Sequence, residues 1–387
     1  MIEAINNNKA MFVEWRHEFH RCPEISYKEF KTSEMIAEKL RGFGFDEVHT
    51  GIGGTGLVGV LKGKSPSDKV VGLRADIDAL AVKELNQFDY ISENEGVMHA
   101  CGHDGHITML LTAAWYLSQH REFSGTVNFI FQSAEEELTG AKTMIDDGLF
   151  ERFPCDCIYG IHNMPHVPEG HIWVCEGAFM ASCDRFDIEI TGKGGHAAMP
   201  EDMIDAPVIM SHVILAAQSI VSRNISPLES VVLSFADVHS GHDTYNIMPK
   251  TATMKGCVRA FNEDIRQLTL KRLRDIVEMT AQMYGATATL TLRDGSCPAT
   301  INNPEQARLV AQIASEAFGE EKVNANCRPL SGSEDFAWML QHVEGSYMFL
   351  GNEGAALHNP NYDFNDNIIT LGATMFVKLV EHNLPIQ

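Results

Sequence analysis

From residue 55 to 164 short apolar strands take turns with helical segments. Strands are expected at "TGLVGVLKG", "KVVGLRADID", "GTVNFIFQSA" and "CDCIYGIHNM", with helices at "ITMLLTAAWYLSQH" and near 138–148 between them. This order predicts an α/β domain with a mostly parallel central sheet, whose useful groups lie on loops beyond the strand ends. Helical patterns near 4–20 and 28–42 precede it.

From about residue 183 the order changes. Strand "RFDIEITG", a helix over 204–223, strands "SVVLSFADVH" and "ATMKGCVRAF", a helix over 263–284 and strand "ATATLTLRD" read β-α-β-β-α-β, the split unit of ferredoxin-like α+β domains. Such a unit closes on itself and can be inserted. The α/β pattern then resumes with a helix over 304–318, a short helix at "SEDFAWML", strand "GSYMFLG" and a helix from about 367. We therefore expect one discontinuous catalytic domain, 1–182 plus 295–387, carrying an inserted domain over 183–294. At 387 residues the chain is long enough for two cores and a buried site.

Thirty basic against 52 acidic side chains give a net charge of −22, which repels nucleic acid and anionic lipid. The first 20 residues lack an apolar core behind a basic segment, and no stretch offers 18 consecutive apolar residues, so a cytoplasmic protein with no membrane partner is expected. Nine scattered cysteines without any C-x-x-C argue for reduced, mostly buried thiols, Cys155 and Cys157 among them.

Several motifs fail on inspection. "GIGGTG" at 51–56 is followed by a strand rather than the helix that a pyrophosphate needs, and "GKS" at 63–65 lacks the glycine of a phosphate loop five residues earlier. In "HEFH" His17 and His20 are three apart, one short of the zincin spacing, and no G-x-S-x-G elbow occurs. What remains is "HACGHDGH" at 99–106. Cys101 and His103 are two apart, which in an extended segment aims both at one side, and thiolate with imidazole suits a borderline metal. "AEEE" at 134–137 reads either as carboxylate ligands or as an acidic helix start; His162 in "GIHNMP" and His358 in "LHNPNYDF" fall at further strand ends or turns.

Taken together, "RADIDAL", "HACGHDGH", "AEE", "GIHNMP", "GKGGHAAMP", "SGSEDF" and "LHNPNYDF" resemble the amidohydrolase branch of the aminoacylase and carboxypeptidase-type metallopeptidases, from residue 19 to 364. The resemblance implies Cys101, His103, Glu136, His162 and His358 as ligands of two divalent ions, zinc or manganese, with nickel and cobalt as further options. It implies Glu135 as general base, with Asp76 behind the metals and Asp78 as its competitor. In the inserted domain it implies His196 as oxyanion stabiliser, and Asn246 and Arg259 as holders of a substrate carboxylate. An Arg on a strand could equally pair with a neighbouring acid. The expected substrate is an N-acyl amino acid, and the inserted domain is expected to serve as lid and as the contact of a homodimer or larger homo-oligomer. Two departures stand out: Ser133 replaces an expected proline, and Glu137 replaces a glycine and blurs which glutamates are base and ligand. Ser331 with Glu334 also reads as a capping box. The competing readings are a dipeptidase or aminopeptidase of the same clan, a non-catalytic metal-binding protein on this fold, and a hydrolase using Cys101 as nucleophile.

Overall fold

A computed structural model describes residues 2–386. The chain forms two compact units: Met1–Phe179 with Thr300–Pro329 and Asp335–Gln387, and Met180–Ala299 with Leu330–Glu334. The short return segment Leu330–Glu334 goes with the second unit, whereas the sequence grouped it with the first. The reason is local bonding: the Ala181 N–H reaches the carbonyls of Leu330 and Gly332 at 3.1 and 2.9 Å.

The first unit is built on an eight-stranded sheet. Its middle four strands, Ser124–Gln132, Ser65–Asp76, Cys157–Met164 and Gly345–Gly351, are neighbours in that order and run parallel. Every residue of Cys157–Met164 and Gly345–Gly351 is buried, the polar His162, Asn163 and Ser346 included. At one edge Gly56–Lys62 and Glu47–Ile52 are added antiparallel. The Glu47–Ile52 strand was not foreseen, because an edge strand with only Ile52 buried carries no apolar alternation. The helix His103–Gln119 is buried almost all round. It lies flush against the helix Ile369–Asn383, where a Cβ on Gly372 would meet the Met109 sulfur at 2.0 Å.

The second unit is a four-stranded antiparallel sheet in the order Val231–Ser240, Thr251–Ala260, Asp184–Thr191, Thr287–Leu292. In chain order these are the second, third, first and fourth strands, the ferredoxin-like arrangement. The helices Ala206–Ser219 and Glu263–Met283 supply Ile209, Val213, Leu273 and Val277 to a core shared with Phe186, Ile188, Ile190 and Met254 of the strands. Asp205 starts the first helix by accepting the Val208 N–H at 3.0 Å. Among the described residues the run Ala206–Asn224 alone is long and apolar enough to cross a membrane by length and composition; here it lays Ile209, Val213 and Ala217 on the sheet. The capping box expected at Ser331 and Glu334 does not form. The helix is Phe336–Leu340, with no side-chain cap, and Ser331 and Ser333 serve Arg259 instead.

The failed zincin motif has another task. On the helix Lys9–Arg21 the fully buried Arg16 bonds Asp366 at 2.8 Å, Asp363 at 2.9 Å and Asp104 at 3.5 Å. His20 bonds Asp104 through Nδ1 at 2.7 Å and Glu84 through Nε2 at 3.1 Å. These pairs tie the N-terminal helix to the first turn of His103–Gln119. Burial disfavours the His20 imidazolium, but Asp104 and Glu84 outweigh it and raise its pKa from 6.5 to about 9. A cation favoured in this way stabilises the fold fully below pH 6.5, and its contribution, on the order of 3 kcal/mol, is lost as pH rises through about 9. The unfolding free energy in urea should therefore fall between those limits, and less steeply in His20→Gln; equal slopes would remove this account.

Candidate metal centre

The metal-ligating types converge at the C-terminal ends of the parallel strands, where open α/β sheets place their sites. Asp76 ends one strand and Asp78 follows it; Glu135 and Glu136 follow Ser124–Gln132; His162 lies in Cys157–Met164. Cys101 and His103 are not in an extended segment, as the spacing suggested. They flank Gly102, whose φ of +86° reverses the chain just before the helix begins at His103. A Cβ on Gly102 would lie 2.4 Å from the Asn163 amide and 2.5 Å from the Tyr362 hydroxyl, so only glycine fits. His358 sits in a turn at φ +62°, held by its N–H to the Ala100 carbonyl at 2.8 Å.

Donor atoms of Cys101, His103 and His162 lie within 4.8 Å of one another, and so do those of Cys101, Glu136 and His358. Cys101 belongs to both triplets. Cys101 Sγ lies 3.5 Å from His162 Nε2, His358 Nε2 3.6 Å from Glu136 Oε2, and His103 Nε2 3.9 Å from Glu136 Oε1. Glu135, 6% exposed, forms a third group with His103 and Glu136, while Glu137 is exposed. Of the three glutamates, Glu135 and Glu136 thus face the cluster and Glu137 faces away from it.

The ring tautomers follow from their partners. His103 Nδ1 faces the Asp78 carbonyl at 2.9 Å and its carboxylate at 3.2 Å, and His162 Nδ1 faces the Asn163 carbonyl at 2.5 Å. A carbonyl only accepts, so Nδ1 carries the proton in both rings and the Nε2 lone pairs are left for a metal. His103 Nε2 and Glu136 Oε1 are buried without a hydrogen-bond partner, as ligand atoms would be. Burial first, then Glu136, Glu135 and Asp76, push the Cys101 thiol up. Burial also raises the Glu136 carboxyl, with Asp78 and Asp76 adding to it against His103. Soft and hard anionic donors packed this closely fit dications, which restore both groups to their charged forms.

The carboxylate behind His103 is Asp78, not Asp76. Asp78 accepts from His103 and from the Glu136 N–H at 3.1 Å. Asp76 instead accepts from His106 Nδ1 at 2.6 Å and from Arg74 at 2.8 Å, and comes no nearer than 3.8 Å to His103 Nε2. Burial opposes the Asp76 charge, but His103, His106 and Arg74 prevail and hold it well below the usual carboxylate range. His106 is no free ligand, since its Nε2 accepts the Asn163 backbone N–H at 3.0 Å. Asn163 and Tyr362, which lock this layer through a 2.5 Å bond, were missed by the sequence reading; an amide and a phenol carry no metal signature.

The remaining predicted residues lie in the second unit. His196 and Asn246 are exposed and adjacent, on a small ladder in which Ile247 pairs with His196. His196 Nδ1 accepts the Ala198 N–H at 3.1 Å, which leaves the proton on Nε2. Among the described residues Arg259 has no acid partner; its Nη1 bonds the Ser331 carbonyl and the Ser333 hydroxyl, each at 2.8 Å.

A parallel-sheet domain that presents a shared thiol, three imidazoles and paired carboxylates to two ions is a dinuclear metallohydrolase. The chain belongs to the peptidase family M20/M25/M40, whose model matches residues 72–382. It is 43% identical to hippurate hydrolase of Campylobacter jejuni subsp. jejuni, covering 98% of both chains. It is 35% identical to N-acetylcysteine deacetylase of Bacillus subtilis, covering 95% of both. A solved structure from Bacillus subtilis, described as a dinuclear metal-binding peptidase of the M20 family, superposes with a TM-score of 0.85 at 29% identity, covering 99% of this chain and 100% of that one. The chain is thus a hydrolase of amide bonds that uses two metal ions. Elemental analysis of purified protein should find two metal ions per chain. His358→Ala should lower this toward one, and Cys101→Ala, which strips a donor from both triplets, should lower it further than His358→Ala does.

Proposed function

We propose that the chain hydrolyses N-acyl amino acids, hippurate and N-acetyl amino acids among them, to a carboxylic acid and a free amino acid, with Glu135 as general base. The observation that carries this reading is the place of Glu135, buried beside His103 and Glu136 at the shared metal donors. Cys101, His103 and His162 would hold one ion, and Cys101, Glu136 and His358 the other. Such ions supply Lewis acidity toward the amide carbonyl and lower the pKa of the attacking water. Glu135 accepts the proton of that water and returns it to the leaving nitrogen, so one carboxylate serves as base and then as acid. Asp78 keeps the proton of His103 on Nδ1. Thiolate and imidazole favour zinc, carboxylates also admit manganese, and nickel or cobalt fits the same donors.

In the second unit His196, protonated on Nε2, is assigned to the oxyanion. Arg259 keeps Nε and Nη2 for a substrate carboxylate once Nη1 is anchored, with Asn246 beside that role. We also assign this unit as lid and homodimer contact. Support comes from the Val231–Ser240 strand, an open sheet edge with exposed Val232 and Val238, and from exposed Val208 and Leu215 on the helix Ala206–Ser219. A cytoplasmic setting belongs to the same reading, since a reducing compartment preserves nine free thiols.

Turnover of hippurate, N-acetyl amino acids and dipeptides with added zinc or manganese tests the substrate class; preference for dipeptides would favour the peptidase alternative. Glu135→Gln should cost about 10²–10⁴ in kcat with metal content unchanged. Full activity of that variant would end the mechanism. In light scattering the wild type should be a dimer and the Val232→Lys, Val238→Lys double variant a monomer; a monomeric wild type refutes the interface.

A further inference from the structure

Glu29 occupies the N-cap position of the helix Phe30–Gly42, where an acidic side chain ordinarily accepts the orphan N–H groups of its own first turn. It makes no such bond. Its side chain turns inward and is fully buried. One oxygen accepts the Ala134 backbone N–H at 2.9 Å, the other the Thr55 hydroxyl at 2.5 Å. A carboxylate that forgoes its helix cap and accepts the desolvation of burial is placed for the group it holds.

That group is the residue immediately before Glu135. Ala134 has φ +51°, a left-handed conformation that an alanine adopts only when its surroundings impose it. The turn is closed on its far side by the Leu138 N–H to the Glu135 carbonyl at 2.7 Å and the Gly140 N–H to the Ala134 carbonyl at 3.1 Å. The Ala134 N–H, at the entry to the turn, is held by Glu29 alone among the hydrogen bonds described for that group. Releasing it lets the backbone relax toward negative φ, which swings the Glu135 side chain. The ligands Cys101, His103, His162 and His358 stand on other segments, and the Glu136 N–H is held separately by Asp78.

We propose that Glu29 is a positioning residue for Glu135: by accepting the Ala134 N–H it fixes the left-handed turn that aims the general base. This rests on the reading of Glu135 as base. The test measures hippurate kinetics, metal content and thermal stability of the metal-loaded enzyme carrying Glu29→Ala, Glu29→Asp or Glu29→Gln, each also in a Glu135→Gln background. Glu29→Ala should lower kcat roughly 30–100-fold, the scale of a misplaced catalytic group, with KM within about threefold and two ions retained. Glu29→Asp, which keeps the charge but loses the reach, should lose about tenfold in kcat. Glu29→Gln, which keeps an acceptor for Ala134 and can donate to Thr55, should stay within about threefold of wild type. In the Glu135→Gln background none of the three should lower the residual rate further, because the effect acts through Glu135.

Wild-type kcat in both Glu29→Ala and Glu29→Asp, or losses that multiply in the Glu135→Gln background, would overturn the proposal. So would a loss that follows metal content. Should Glu29→Ala fail to fold, the contrast between Asp and Gln decides alone. If Glu135→Gln is itself fully active, it is the base assignment that fails; if it is inactive while Glu29→Ala and Glu29→Asp are both wild type, only the positioning role fails.

Discussion

A buried thiol crowded by carboxylates is the constraint around which the first unit is organised. Cys101 is hemmed in by Glu136, Glu135 and Asp76, and burial alone already disfavours its ionised form. Such a cluster is tolerable in two ways: its groups stay protonated, or cations share its space. The surrounding structure is arranged for the second. His103 and His162 each spend their Nδ1 proton on a carbonyl, so that Nε2 is the ring atom each turns toward the cluster.

Rigidity comes from bonds that leave the donors free. Asp78 joins three segments distant in sequence, accepting from Ser26 at 2.7 Å, from the His103 ring and from the Glu136 N–H. Behind it, Asp76 with Arg74 and His106, then Asn163 with Tyr362, form a continuous buried layer. Arg74 reaches on from this layer to Gln132 and Asp335, and Asn163 to the Cys101 carbonyl, and a buried polar network that is paired in this way adds order rather than cost. The Arg16 ion pairs anchor the start of the helix that carries His103.

Much of this was legible residue by residue. "CDCIYGIHNM" and "GSYMFLG" mark strands of a mostly parallel sheet, and the split β-α-β-β-α-β order marks the second unit, because such patterns are local consequences of side-chain chemistry. The five ligand positions and Glu135 stood out through motif resemblance, and the structure brings all six into one place. Asp76 and Asp78 could not be told apart, since two acids two residues apart in a strand end present the same pattern while the choice depends on where the His103 ring falls. The Ser331 and Glu334 capping signal misled for a similar reason: Arg259, 72 residues away from Ser331, claims that segment. Nothing in "SYKEF" distinguishes a Glu29 side chain that caps the helix from one turned inward.

The sequence by itself determined the two-unit order of elements, the kinds of donor atom available and the family of chemistry they belong to, all of which follow from residue type and short-range spacing. Tertiary structure alone decided which thiol is shared by two donor triplets, which nitrogen of each imidazole is free, and which of three consecutive glutamates faces inward. Those choices rest on left-handed residues at Ala134 and His358 and on hydrogen bonds between segments a hundred or more residues apart. Such conformations are unfavourable for an isolated stretch of chain, so no local pattern announces them, and they persist because the packed unit holds them in place.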